Sequence, residues 1–319
     1  MDILLNLVYI LIYPGFLTCV VAGLLLAGID RKVVARMQKR IGPPILQPTY
    51  DFLKLSGKET IIPHHASKAV FLIAPVIGLI SLIAIALFIP QAGIVAYSNV
   101  ADVIVIVYLL TIPAVAVIMG GAASGSPFAG VGVSREMVAM LSYELPLIMV
   151  LLTVGKKVGM AMNGGITFSL MEIAQYQQEH GMLLLDWTMI PAILAMLLVI
   201  PCEVGSHPFD IAEAETEICE GTLVEYTGRP LAIFKLGFSI KIWIMTTFFM
   251  SLFMGGISTG IIVLDILIQF AICTVIMIIC MSFIKAITAR LKVEQVFKFY
   301  WIVVAGLALI SLILVWFGL

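Results

Sequence analysis

"AVFLIAPVIGLISLIAIALFIP", residues 69–90, runs for 22 positions without one ionisable side chain. About 20 apolar residues in a helix are enough to cross the hydrocarbon core of a bilayer. Seven more runs of this kind lie near residues 3–28, 101–121, 136–155, 185–202, 231–254, 261–284 and 299–317. The whole chain is 62% hydrophobic and 12% charged, with a mean hydropathy of +1.15. Soluble domains carry about twice that share of charge. The sequence therefore specifies an all-α polytopic membrane protein: one integral membrane domain over residues 1–319, with eight transmembrane helices and a short amphipathic surface helix. The first run is not a cleaved signal, because Met1-Asp2 supplies no basic n-region and the run is too long. Pro14-Gly15, Pro113 and Pro146 fall within the first, third and fourth spans. Each proline removes a backbone hydrogen bond and predicts a kink, whose freed carbonyl must be satisfied by a neighbour or by water.

Basic residues orient the bundle. With their flanks, the loops near 29–68, 122–135, 203–230 and 285–298 hold sixteen of the eighteen Lys and Arg residues. Only Lys156 and Lys157 fall on the other side. By the positive-inside rule these loops are cytoplasmic, and both termini face outward. The formal net charge of −1 adds nothing, and no feature suggests a nucleic-acid partner. The outer loop 156–184 is weakly amphipathic and receives no chemistry. In the first cytoplasmic loop, "GPPILQPTYDFLKLSGKE" (42–59) mixes Tyr50, Phe52, Leu53 and Leu55 with Asp51, Lys54 and Lys58, a composition suited to a helix lying at the membrane surface. Two roles stand open for it, a basic anchor to anionic lipid and a docking surface.

The five cysteines form no C-x-x-C pair, which argues against an iron–sulfur or zinc site made by this chain alone. Any electrons are then carried by another subunit.

"EVGSHPFDIAEAETEICEGTLVEY", residues 203–226, is the unexpected stretch. Its seven carboxylates are Glu203, Asp210, Glu213, Glu215, Glu217, Glu220 and Glu225, and His207 is its sole cationic candidate. On a helix, Glu213, Glu217 and Glu220 would share one face with Asp210 one turn earlier. Like charges at that spacing repel, and when partly desolvated they share protons and titrate together. Phe209 and the closing "TLVEY" speak against a loop that is merely solvated.

Two ionisable residues stand inside spans. Glu144 in "LSYELPL" lies nine residues past Arg135, roughly 13 Å along a helix. Lys241 lies in "GFSIKIW". A charge at such a depth costs about 2.5–3.5 kcal/mol or more, so it normally faces a water-filled cavity or an opposite charge. For Lys241, snorkelling to the surface is the competing reading.

At this point the chain resembles a known family. "PFDIAEAETE…EG…VEY" is similar to the acidic loop of the membrane subunit at the heart of respiratory complex I, beside its quinone chamber. It is equally similar to the corresponding subunit of membrane-bound group 4 NiFe hydrogenases. "DRKVVARMQKRIGPPILQPTYDFLKL" and "ARLKVEQVFKFYW" resemble the family's first and last cytoplasmic loops. The resemblance implies a non-catalytic coupling subunit. Its acidic loop and buried Glu would link redox chemistry in a peripheral arm to proton or sodium movement. By position this path takes in Glu144, Glu203, Asp210, Glu213, Glu215 and Glu225, with Glu217, Glu220 and Lys241 beside them. Arg31, Arg40, Asp51, Arg135, Glu136 and His207 would serve the docking loops. The implied partners are soluble hydrogenase-like large and small subunits, which carry the iron–sulfur clusters and a NiFe centre, and antiporter-like membrane subunits.

Three departures favour the hydrogenase-like branch over a quinone reductase. Ser206 replaces the basic residue that complex I carries two before the proline, with His207 next, either as a substitute cation or as a plain surface histidine. The first loop is short, and Glu136 directly follows Arg135. A stand-alone secondary transporter is the rival of another class, although no inverted repeat is visible.

Overall fold

The computed structural model describes residues 2–91, 102–162, 164–255 and 260–318, without the side chains of residues 2–5, 215 and 216. Among the described residues it is helical throughout, with no strand. Helices α1 (Asp2–Leu11) and α2 (Phe16–Met37) form the first span, and α3 (Gln47–Ser56) is the surface helix. The next spans are α4 (Lys68–Phe88), α5 (Val103–Ser124) and α6 (Pro127–Met162). After α7 (Leu170–His180) come α8 (Ile190–Val204), the short α9 (Glu215–Ile218) and α10 (Gly228–Phe253). Helix α11 (Ile262–Met277) continues through a π-helical turn into α12 (Phe283–Ile287), and α13 (Val293–Lys298) continues likewise into α14 (Ala305–Trp316). These make eight helices long and apolar enough to cross a membrane.

Helix α10 stands at the centre, packed by α2, α3, α4, α8 and α11 and buried along nearly its whole length. Helices α4 and α5 pair closely, while α6 lies against α5, α8 and α14. On the perimeter, apolar side chains such as Ile80, Tyr108, Leu267 and Ile302 are exposed, as a surface facing hydrocarbon should be.

The break at Pro14-Gly15 separates α1 from α2, and Pro113 and Pro146 lie inside helices whose assignment is continuous. One sequence reading needs correcting. The expected loop 122–135 shrinks to Gly125 and Ser126. Gly125 ends α5 in the left-handed region, and Pro127 restarts the helix at its first position, where a missing N–H is harmless. Arg135 and Glu136 therefore lie on α6, not in a docking loop. The stretch 156–184 contains α7, and nearby Lys157 pairs with Asp186 at 2.8 Å.

Candidate functional site

The deepest charges meet where α8 ends against α10. Lys241 Nζ lies 2.8 Å from Glu203 Oε1, and the two side chains are only 7% and 2% exposed. Lys241 does not snorkel, because the central helix that carries it gives its stem no route to the surface. Its partner is Glu203, not Glu144. Tyr143, buried on α6, stands beside Glu203, and the charges of Glu136 and Glu144 are near enough to interact with it. Glu144 itself is half-buried and opens into a lateral, mostly apolar cavity between α5 and α6, shared with Tyr108, Thr111 and Ile148.

The acid loop is not a helix bearing carboxylates on one face. Helix α9 spans four residues, after which Cys219 and Glu220 adopt left-handed φ values of 50° and 68°. A 3-10 turn, Gly221–Leu223, follows. Gly221 crosses so close to residue 212 that a Cβ there would sit 1.9 Å from the Ala212 carbonyl oxygen. Only glycine allows this fold-back, and it disperses acids that would repel one another on a helix. Three of the dispersed acids meet cations of their own. The Arg290 guanidinium grips Asp210 through Nε and Nη2 at 2.8–3.1 Å. Arg135 meets Glu217 at 2.6 Å, and Lys235 approaches Glu220 at 3.7 Å. The Lys235–Glu220 pair is largely exposed and contributes at most about 1 kcal/mol, whereas Arg135 is half-buried beneath its partner.

Glu213 has no ion pair among the described residues. Burial pushes its carboxyl up to about 8, the negative charges of Glu136, Glu220 and Asp210 add to the rise, and Lys235 opposes it. A carboxyl in this range exchanges its proton near neutral pH. Glu213 thus holds its proton under the influence of neighbouring carboxylates, while Asp210, Glu217 and Glu220 are ion-paired. Glu225 is half-buried beside Tyr226, and the side chain of Glu215 lies outside the described residues.

His207 is half-buried; burial lowers its pKa, Asp210 opposes that, and Arg290 and Lys285 lower it further, which disfavours the charged form. The loop's apolar residues hold it down: Phe209 packs edge-on against Tyr300 at 5.3 Å, and Tyr226 stacks on Phe71 at 3.9 Å while its hydroxyl donates to the Phe71 carbonyl. In the first loop, Arg31 pairs with Asp51 at 3.0 Å and ties α3 to α2. Arg40 is exposed, donates to Gln38, and stands apart from the acid loop.

Sequence reasoning missed Asp30. It is buried toward the C-terminal end of α2, where Ser282 donates to it at 2.6 Å and Lys285 at 3.0 Å. Its place at the end of an apolar run, followed by Arg31 and Lys32, looked like an ordinary span boundary. Among the described residues, no group of three or more His, Cys, Asp or Glu is arranged to hold a metal ion. Four of the five cysteines are buried and unbonded, and Cys219 is exposed.

A family model described as NADH dehydrogenase matches residues 8–316. The chain belongs to this family. It is 33% identical over 240 residues to an NADH-quinone oxidoreductase subunit of Bordetella petrii, covering 71% of this chain and 66% of that protein. It is 32% identical over 304 residues to the equally named subunit of Protochlamydia amoebophila, covering 90% and 89%. Among solved structures it resembles a chain of the membrane-bound sulfane sulfur reductase, an archaeal respiratory membrane complex, with a TM-score of 0.87, 29% identity and coverage of 98% and 99%. The proteins it resembles thus belong to complexes whose names point to different acceptors.

Proposed function

We propose that this chain is the membrane-arm subunit of an energy-converting redox complex, and that it couples electron transfer in a docked soluble arm to proton or sodium movement. One observation carries the reading. Ionisable groups follow one another from Glu213 in the cytoplasmic loop, through Glu136 and the Glu203–Lys241 pair, to Glu144 in the wall of the bundle. Charges at these depths are too costly to be incidental. Reduction of a centre in the soluble arm changes the field at the loop, Glu213 gains or loses its proton, and the buried pair passes the change to Glu144. The lateral opening at Glu144 faces the next, antiporter-like membrane subunit. The chain itself holds no redox group. Iron–sulfur clusters and a NiFe centre belong to hydrogenase-like large and small subunits on the cytoplasmic face, and both termini lie outside. In membrane vesicles, Glu144→Gln is expected to leave assembly and redox turnover intact while cutting ion pumping roughly tenfold or more. Normal pumping in that variant would leave Glu144 as packing and sink the proposal.

The acceptor is proposed to be a metal-centre reaction in the partner, not quinone. The cavity beside Glu203 has a volume of only about 40 Å³. The 360 Å³ opening at the acid loop sets Asp30, Arg31, Asp210, Glu213 and Lys285 among Leu223, Phe238 and Ile242, more charges than the few placed polar groups of an organic-ligand cleft; the mostly apolar 310 Å³ cavity at Glu144 shares no lining residue with it. Quinone analogues are therefore expected not to inhibit the purified complex, and Ser206→Arg is expected not to create quinone reduction. Inhibition at low analogue concentration would reverse this assignment.

A further inference from the structure

The cavity beside Glu203 contains a hydroxyl that the path above does not use. Thr222 lines it together with Glu136, Glu203, Glu213 and Lys241. Its side chain is fully buried, and its Oγ1 has no hydrogen-bond partner among the described residues. Leaving a buried hydroxyl unpaired costs about 1–3 kcal/mol, so such a group normally has a polar ligand. The backbone fixes where this hydroxyl sits. Thr222 belongs to the 3-10 turn Gly221–Leu223, which is pressed against α5 and α6. A Cβ on Gly132 would come within 2.6 Å of the Thr222 nitrogen, and one on Gly121 within 3.4 Å of its Cα. Glycines on both helices admit the turn and leave it no freedom to withdraw.

The size of the cavity names the ligand. Its 40 Å³ is too small for an organic molecule. One water needs about 10–15 Å³ on this measure, so about three fit, and the carboxylates, the ammonium and the hydroxyl supply the two to four polar partners each water requires. We infer that this cavity holds a short chain of ordered waters, anchored by the Thr222 hydroxyl, that carries protons between Glu213 and the Glu136–Glu203–Lys241 group. Thr222 is a positioning residue, because it can accept from one water and donate to the next without changing its own charge. The inference rests on the coupling function proposed above.

Two substitutions in the intact complex separate relay from packing. Thr222→Val keeps the shape and removes the hydroxyl, whereas Thr222→Ser keeps the hydroxyl and removes a methyl group. Proton uptake per electron pair in reconstituted vesicles is expected to fall roughly tenfold in the Val variant and to stay within about twofold of normal in the Ser variant. The Val variant should also show a changed solvent deuterium effect, which a packing defect would not produce. Normal uptake with Val, or equal damage from Ser, overturns the inference. Glu213→Gln measured alongside keeps the two ideas apart: loss of coupling there with an unaffected Val variant removes only the water relay, and normal coupling in both removes the coupling function as well. Should the Val variant fail to assemble, a high-resolution map of the unmodified complex decides. Ordered water within about 3.2 Å of Thr222 Oγ1 supports the relay, and a dry cavity ends it.

Discussion

Lys241→Met should destabilise the protein by about 3–5 kcal/mol, because it leaves the Glu203 carboxylate buried without its counter-ion. The expected readout is a clear drop in the thermal unfolding temperature of the purified complex, or a neutralised Glu203 in a protein that survives. Glu203 is 2% exposed, so water cannot take over from the lost ammonium. Removing both charges, as Lys241→Met with Glu203→Gln, should recover most of the stability, since a buried ion pair replaced by neutral groups of similar shape is often neutral. The double variant should nevertheless fail to pump. Recovery of stability without recovery of coupling would assign the pair to function; a loss below about 1 kcal/mol in the single variant would show that the pair is hydrated and weak.

Glu213→Gln has the second largest expected effect, and pH exposes it. The folded carboxyl titrates at about 8, against an ordinary value of 4.5. Between these values the unfolded chain has released the proton while the folded chain still holds it, so stability falls as pH rises. The contribution is complete below the ordinary carboxylate range and is lost as pH rises through about 8. The unmodified protein should therefore weaken from pH 5 to pH 8 by more than Glu213→Gln does, as followed by thermal unfolding across that window. Parallel pH profiles would mean that Glu213 is ionised and solvated. In coupled vesicles the same substitution should abolish most ion movement while the soluble arm still turns over.

The sequence by itself determined the membrane class and the number of spans. In hydrocarbon a backbone must satisfy its own hydrogen bonds, so a 20-residue apolar run has few options other than a helix, and 69–90 could be read in isolation. The acid-rich stretch, the surface helix around Tyr50–Leu53 and the family were also legible, because each is carried by local residue order. What the tertiary structure decided is which charge meets which. The partners Glu203 and Lys241 are 38 positions apart, Arg290 and Asp210 are 80 apart, and Asp30 and Lys285 are 255 apart. Helical spacing suggested a shared face for Glu213, Glu217 and Glu220, but the fold-back at Gly221 breaks that face and leaves Glu213, Glu220 and Asp210 around one opening, with Glu217 turned to Arg135. Glu213 is left without an ion pair because Lys235, whose charge it feels, pairs with Glu220, and Thr222, ordinary in sequence, matters only because two glycine-lined helices press it into a cavity. Hydropathy is a property of a segment. Ion pairing and desolvation are properties of the packed bundle, and they exist only once the segments have met.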